Sequence, residues 1–218
     1  MYNPPQFASQ DPRIAARLMR EHPFASLITL DDAGQPFVTH LPLHLAEEGG
    51  AFVLLGHVAR LNPAWQHLSA WPGATVTFLG PQAYMSPGVY PDLARVPTWN
   101  YLAVHCTVTA RLLAPEDEAG TDRLLKALIG DHEPAYARQW RGLDADFQRK
   151  MLAGIVAFEL AVDGWQCKLK LNQHRPESHA ALVAAWAAGT PEQQALAGWM
   201  RALGMAPAND IEKGVSET

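Results

Sequence analysis

The 218-residue sequence predicts a small antiparallel β-barrel carrying helices, an α+β fold. Two observations predict it. Six short runs rich in β-branched and aromatic residues crowd the first half, and the turns between several of them are too short for the crossovers that parallel strands require. The middle and the end of the chain then change to helical periodicity. With 48% hydrophobic and 18% charged residues, the chain is an ordered one that can bury a core.

Asp11-Pro12 opens the first helix, an acidic cap followed by Pro at the first helical position. Ile14 and Leu18 supply its buried stripe and Pro23 ends it. Residues 24–30 read as a strand, 31–35 as a Gly-containing hairpin loop, 37–45 as a second strand, 47–50 as a turn and 51–55 as a third strand. Asn62-Pro63 caps a short helix to about residue 69. Strands follow at 74–79 and 82–85, then a Pro/Gly-rich loop over 87–97 and a long strand over 99–113. Helices are expected at 115–129, with Leu124, Leu125 and Leu128 on one face, and at 144–152. Strands return at 155–162 and 168–171. Two helices close the chain, the second with Thr190 as cap, Pro191 at its first position, Gln193 completing a capping box and Gly204 as its stop. The expected organisation is a barrel domain over 1–171 with inserted helices at about 115–152. A helical extension over 172–205 packs on the barrel or a partner, and 206–218 is a frayed tail.

Composition excludes several function classes. The formal charge is -5 with no Lys/Arg run, which argues against a broad nucleic-acid or anionic-membrane surface. Cys106 and Cys167 form no close-spaced motif, so neither a disulfide framework nor a cysteine zinc site is indicated. No apolar run reaches the roughly twenty residues of a membrane span, and the first residues lack the features of a secretion signal, so a cytoplasmic location is expected. His40 and His44 are four apart on a strand with no third ligand type nearby, so no metal site is expected. Ser86 lacks the Gly-flanked elbow of a nucleophile, and no Gly-rich nucleotide loop occurs. The last two helices have the spacing of a helix-turn-helix, but their cations are too few to anchor phosphates, so direct DNA binding is not expected.

Three segments carry the candidate chemistry. In Val96-Pro97-Thr98-Trp99-Asn100-Tyr101, Trp99 and Tyr101 share one strand face beside an amide, which suits a planar ligand and equally suits a barrel rim. The loop from Gly56 to Pro63 places His57 and Arg60 before a helix start. Its two readings are a phosphate cradle and a connecting loop whose Arg60 caps carbonyls. Lys168 to Arg175 is the densest basic stretch, able to hold an anion or a ring edge, or to guard a sheet edge with lysines.

These blocks together resemble the PaiB-type family of FMN-binding negative transcriptional regulators. They are Met1-Tyr2-Asn3-Pro4, His40-Leu41-Pro42-Leu43, Gly56-His57-Val58-Ala59-Arg60 with Asn62-Pro63, Tyr84-Met85-Ser86-Pro87 with Tyr90, the Val96–Tyr101 hexapeptide and the Lys168–Arg175 segment. Asn172-Gln173-His174-Arg175 stands where the family pattern has Ser-Gln-Asn-Arg. The resemblance implies a six-stranded antiparallel split barrel, a homodimer, and FMN at the subunit interface. Phosphate contacts would fall on Ser26, Thr39 and Arg60, while Trp99 and Asn100 would approach the ring from the partner. His40, His57, Lys168 and Gln173 complete the expected cofactor set. Alternatives implied by the wider group are a flavin-dependent oxidoreductase, and a cofactor-free or haem-binding protein acting through protein contacts.

Overall fold

The computed structural model describes residues 1–92, 94–114 and 116–206. The helix start expected at Pro115 and the tail expected from 206, apart from Ala206 itself, lie outside them. The described elements are β1 (Ala8–Ser9), α1 (Pro12–Glu21), β2 (Phe24–Leu30), β3 (Pro36–Pro42), β4 (His44–Glu48), β5 (Ala51–Ala59), α2 (Ala64–Ala70), β6 (Gly73–Met85) and β7 (Thr98–Leu112). After them come α3 (Glu118–His132), α4 (Tyr136–Gly142), α5 (Ala145–Ala153), β8 (Ile155–Lys170), α6 (His179–Ala187) and α7 (Pro191–Ala202). The class is α+β, with one sheet whose hydrogen-bonded order is β3-β2-β6-β7-β8-β5-β4, β1 joining β8. The ladders β2–β3, β2–β6, β4–β5 and β5–β8 are antiparallel.

Eight strands are described where the expected barrel had six: the short β1 carried no sequence signal, and local causes split one expected strand and merged two expected pairs. Pro42 has no N–H to give a ladder, so the single strand expected over 37–45 breaks around Leu43 into β3 and β4. Both lie at the ends of the sheet path, where a proline is tolerated. The pairs of strands expected at 74–79 and 82–85, and at 155–162 and 168–171, are each one continuous strand. The third inserted helix, α4, lacked a sequence signal. Its Trp140 is held by Asp122 (Nε1 to Oδ1, 2.9 Å) and its C-terminal carbonyls accept from Gln148, so tertiary contacts make it.

Contacts divide the chain into two units, and β6, β7 and β8 contribute residues to both. The first comprises Met1, Gln10–Leu79 and Val104–Cys167. Here the Asp11 carboxylate caps α1 by accepting from Arg13 N at 2.9 Å, and Leu18 and Met19 are buried. Asp31 shapes the β2–β3 hairpin by accepting from the Ala33 and Gln35 amides, with Gly34 at φ +74°. Because β3 and β4 are consecutive in sequence yet terminate opposite ends of the path, the sheet curls until they meet at Leu43. Leu43 is buried over Gly56, where a Cβ would stand 2.5 Å from Leu43 Cδ2 and 3.2 Å from the Phe158 ring. On the other side of β5, Leu55 packs on the cluster of Leu113, Leu124, Leu128 and Ala157, which joins α3 to the sheet. His57 is opposite Ala157 in register, so it faces that helical side. Its Nδ1 is buried without a partner, and burial pushes its pKa below the ordinary 6.5. Cys106 and Cys167 are buried thiols outside any disulfide, and burial pushes both up to about 12.

The second unit comprises Tyr2–Ser9, Gly80–Ala103 and the chain from Lys168 onward. Just beyond β8, Asn172 turns the chain in the left-handed region (φ 66°) and is fixed there by its side chain, which donates to Ser178 Oγ (2.7 Å) and accepts from Tyr90 OH (3.1 Å). His179 bridges the carbonyls of Asn172 (2.9 Å) and Met205 (3.1 Å), tying both ends of the terminal helix pair together. The capping box at Thr190 and Gln193 is formed, and Leu196, Trp199 and Met200 are buried. No described helix is long and apolar enough to cross a membrane.

Two outcomes follow from this packing. Gly56→Ala should lower unfolding free energy by about 1–3 kcal/mol in urea titrations, because the new methyl displaces Leu43 and Phe158. Since folded His57 resists protonation, the unfolded chain binds more protons once pH falls below about 6.5, so stability should decline from there downward. Denaturation midpoints between pH 8 and 5 should decline less steeply in His57→Gln than in the parent, with His105, also lowered by burial, accounting for part of the remainder.

Candidate functional site

The nine residues expected at a cofactor site fall into two sets. Ser26, Thr39, His40, His57 and Arg60 belong to the first unit, and Trp99, Asn100, Lys168 and Gln173 to the second.

Within the first unit, Ser26 and His40 are direct cross-strand partners, with Ser26 Oγ 3.0 Å from His40 Nδ1. Thr77 on β6 is the other neighbour of Ser26 in register. Phe24 stacks on the His40 ring at 6.3 Å and is 68% exposed. Thr39 pairs with Leu27 and so points through the opposite face, where Asn62 Nδ2 donates to its hydroxyl at 3.3 Å. Ser26 and Thr39 therefore do not converge within one chain, as a shared phosphate role would require.

Arg60 realises the carbonyl-capping alternative. Its Nε donates to Ala153 O (2.8 Å), its Nη2 to Ile155 O (3.0 Å), and its own amide to Gly154 O (2.9 Å). The fork thus closes the junction between α5 and β8. The start of α2 is closed as well, since Asn62 Oδ1 accepts from Ala64 N (2.9 Å) and Trp65 Nε1 donates to Arg60 O (2.9 Å). A cavity of about 320 Å³ lies beside Arg60, walled by Leu113, Leu152 and Ile155 with Glu118 and Arg149 at its margin.

In the second unit Trp99 and Tyr101 share one face of β7, as their spacing predicts. Trp99 is 53% exposed and meets Tyr84 edge-on at 6.4 Å. The Tyr101 ring lies under two ammonium groups, Lys168 Nζ at 5.1 Å and Lys170 Nζ at 5.9 Å from its centroid. Lys168 is buried and donates to Tyr2 O at 3.0 Å. Asn100 occupies the other face of β7, buried against Met85 Sδ (3.4 Å) with its Oδ1 unpartnered, and it lines a small separate cavity. Gln173 is turned back on its own backbone, accepting from Leu171 N (3.0 Å) and donating to Leu169 O.

Sequence reasoning missed Arg95 and Phe7, which line the cavity beside Asn100 together with His174 and Arg175. Phe7 comes from the N-terminal segment, and no spacing rule connects it to residue 174. Lys170 and Asn172 both belong to the Lys168–Arg175 stretch that the sequence singled out.

Comparison with known proteins identifies the group to which these features belong. A family described as "Putative FMN-binding domain" matches residues 1–164. The Bacillus subtilis protease synthase and sporulation protein PAI 2 is 32% identical over 178 residues, covering 82% of this chain and 84% of that protein. Among solved structures, a FAD and heme binding protein from Mycobacterium smegmatis has a TM-score of 0.56 at 20% identity, covering 75% of this chain and 73% of that one. The flavocytochrome Anf3 from Azotobacter vinelandii has a TM-score of 0.57 at 19% identity, covering 75% and 69%. These two show a shared fold. The family match and the Bacillus relative show more: the chain belongs to the PaiB-type family of FMN-binding proteins.

Proposed function

We propose that this protein is a homodimeric split-barrel protein that binds FMN non-covalently and acts as a PaiB-type negative regulator of transcription. The observation that carries the ligand reading is the open aromatic face of the second unit. Trp99 stands more than half exposed, braced by Tyr84, beside a Tyr101 ring already covered by two lysine ammonium groups. A flat ring with positive charge alongside it suits a planar, anionic heteroaromatic ligand. FMN, when bound, supplies reversible electron and hydride transfer. The chain's part is to orient the ring through Trp99 and to set a positive potential through Lys168. Arg60 is the phosphate candidate, with Nε and Nη2 held by carbonyls and Nη1 left in its fork.

Dimerisation draws support from the outward face of β2, β3 and β6. Phe24, Leu30, Val38 and Leu79 are all exposed there around the Ser26–His40 pair, a surface that a second copy would cover. Regulation through a flavin-bound dimer fits the charge of -5 better than direct reading of DNA, for which α7 offers Arg201 as its one basic residue.

Titrating the protein into FMN should quench flavin fluorescence at micromolar concentrations, and an unchanged signal at tens of micromolar would sink the reading. Trp99→Ala should weaken binding about tenfold through loss of the stacking surface. Arg60→Gln should lower stability of the ligand-free protein by about 0.5–1.5 kcal/mol through its two carbonyl contacts. If Arg60 also grips phosphate, the same variant weakens FMN more than riboflavin.

A further inference from the structure

The cavity next to Asn100 lies wholly within the second unit, on the face of β7 opposite Trp99, with Lys170 reaching both. It measures about 230 Å³, below the range of about 300–1,000 Å³ typical of pockets for drug-sized ligands, so it suits a molecule smaller than a flavin. Three basic side chains, Arg95, Lys170 and Arg175, line it, and no carboxylate does. Asp92 neutralises Arg95 from outside (2.9 Å), and Glu177 lies 4.0 Å from Arg175. Lys170 donates to Thr98 Oγ1 at 2.7 Å and lies over the Tyr101 ring, with no carboxylate partner among the described residues. Burial holds its ammonium below the ordinary lysine value, so a bound anion would relieve it.

Two buried polar atoms on the cavity's lining residues lack partners. Asn100, only 1% exposed, leaves its Oδ1 unpaired, and Arg95 leaves its Nε unpaired. Such atoms are costly to bury and rare, and here one is an acceptor and the other a cationic donor. The wall opposite is rigid, because Tyr90 and Ser178 lock Asn172 at its left-handed corner and Phe7 braces His174 edge-on at 5.6 Å. Lys170, Asn172, His174 and Arg175 also lie beyond residue 164, where the family match ends.

We propose that this cavity binds a small organic anion, a carboxylate or phosphate monoester that also carries an O–H or N–H donor. Lys170, Arg95 and Arg175 hold the anionic group, and Asn100 accepts from the donor. The site shares Lys170 with the flavin face but takes its other ligand groups from the opposite face of β7 and the residues beside it, so the protein would respond to a small metabolite as well as to its cofactor.

Calorimetric titration with glycerol 3-phosphate and, separately, with lactate tests this at low ionic strength. Saturable binding of either is expected, and the stronger of the two identifies the anionic group. Arg95→Gln and Arg175→Gln should each weaken it about tenfold while leaving FMN quenching at the parental level. Arg175 is half-exposed, so its variant carries the test if Arg95→Gln fails to fold by circular dichroism. Absence of saturable heat for both probes at about 10 mM, or parental affinity in the folded variants, overturns the proposal. Equal loss of FMN quenching in both folded variants overturns the separation from the flavin site, whereas loss of FMN binding in Trp99→Ala alone leaves the anion site standing.

Discussion

The contact on which the sheet depends is Leu43 pressed against the bare backbone of Gly56 and the Phe158 ring. Pro42 withdraws a donor just where the chain must leave one edge of the sheet and begin the other, and Leu43 is the residue between them. Its buried side chain substitutes packing for the missing ladder bond. Any side chain at position 56 would occupy that space. The β5 strand consequently has one side given to this closure and the other to the helical cluster around Leu124 and Leu128. His57 inherits a buried position from that division.

Alternation along strands, rather than proximity in sequence, decides which candidate residues can act together. Ser26 works with His40 and faces away from Thr39. Trp99 works with Tyr84 and Tyr101 and faces away from Asn100. A motif read as one recognition element, the Val96–Tyr101 hexapeptide, thus serves two surfaces: an open aromatic face and a small cationic cavity. The capping of Ala153 and Ile155 by Arg60 has a similar duality, since a guanidinium that organises a helix-strand junction also lies beside a cavity.

Much of the fold was legible in the sequence because its signals are local. The Asp11 and Thr190 caps, the Asp31 hairpin and the alternation of β2 depend on residues a few positions apart, and each element formed at or near its expected place. What was not legible depends on distant partners. α4 exists because Asp122 and Gln148 hold Trp140 and its neighbours. The continuity of β6 and β8 comes from the strands beside them. Burial of Lys168 under Tyr2 joins residues 166 apart. At the candidate site, the types of residue were readable but their direction was not. Gln173 spends its amide on its own backbone, which no motif would reveal.

The two cysteines have a consequence for how such a protein would meet an oxidising environment. Both thiols are buried and held up at about 12, so the thiolate form is scarce at neutral pH. Peroxides and disulfides react with the thiolate, so neither sulfur offers them a foothold. Thiol oxidation at these two positions is therefore disfavoured while the fold is intact, and an oxidant would meet the exposed Met151 thioether sooner than either sulfur.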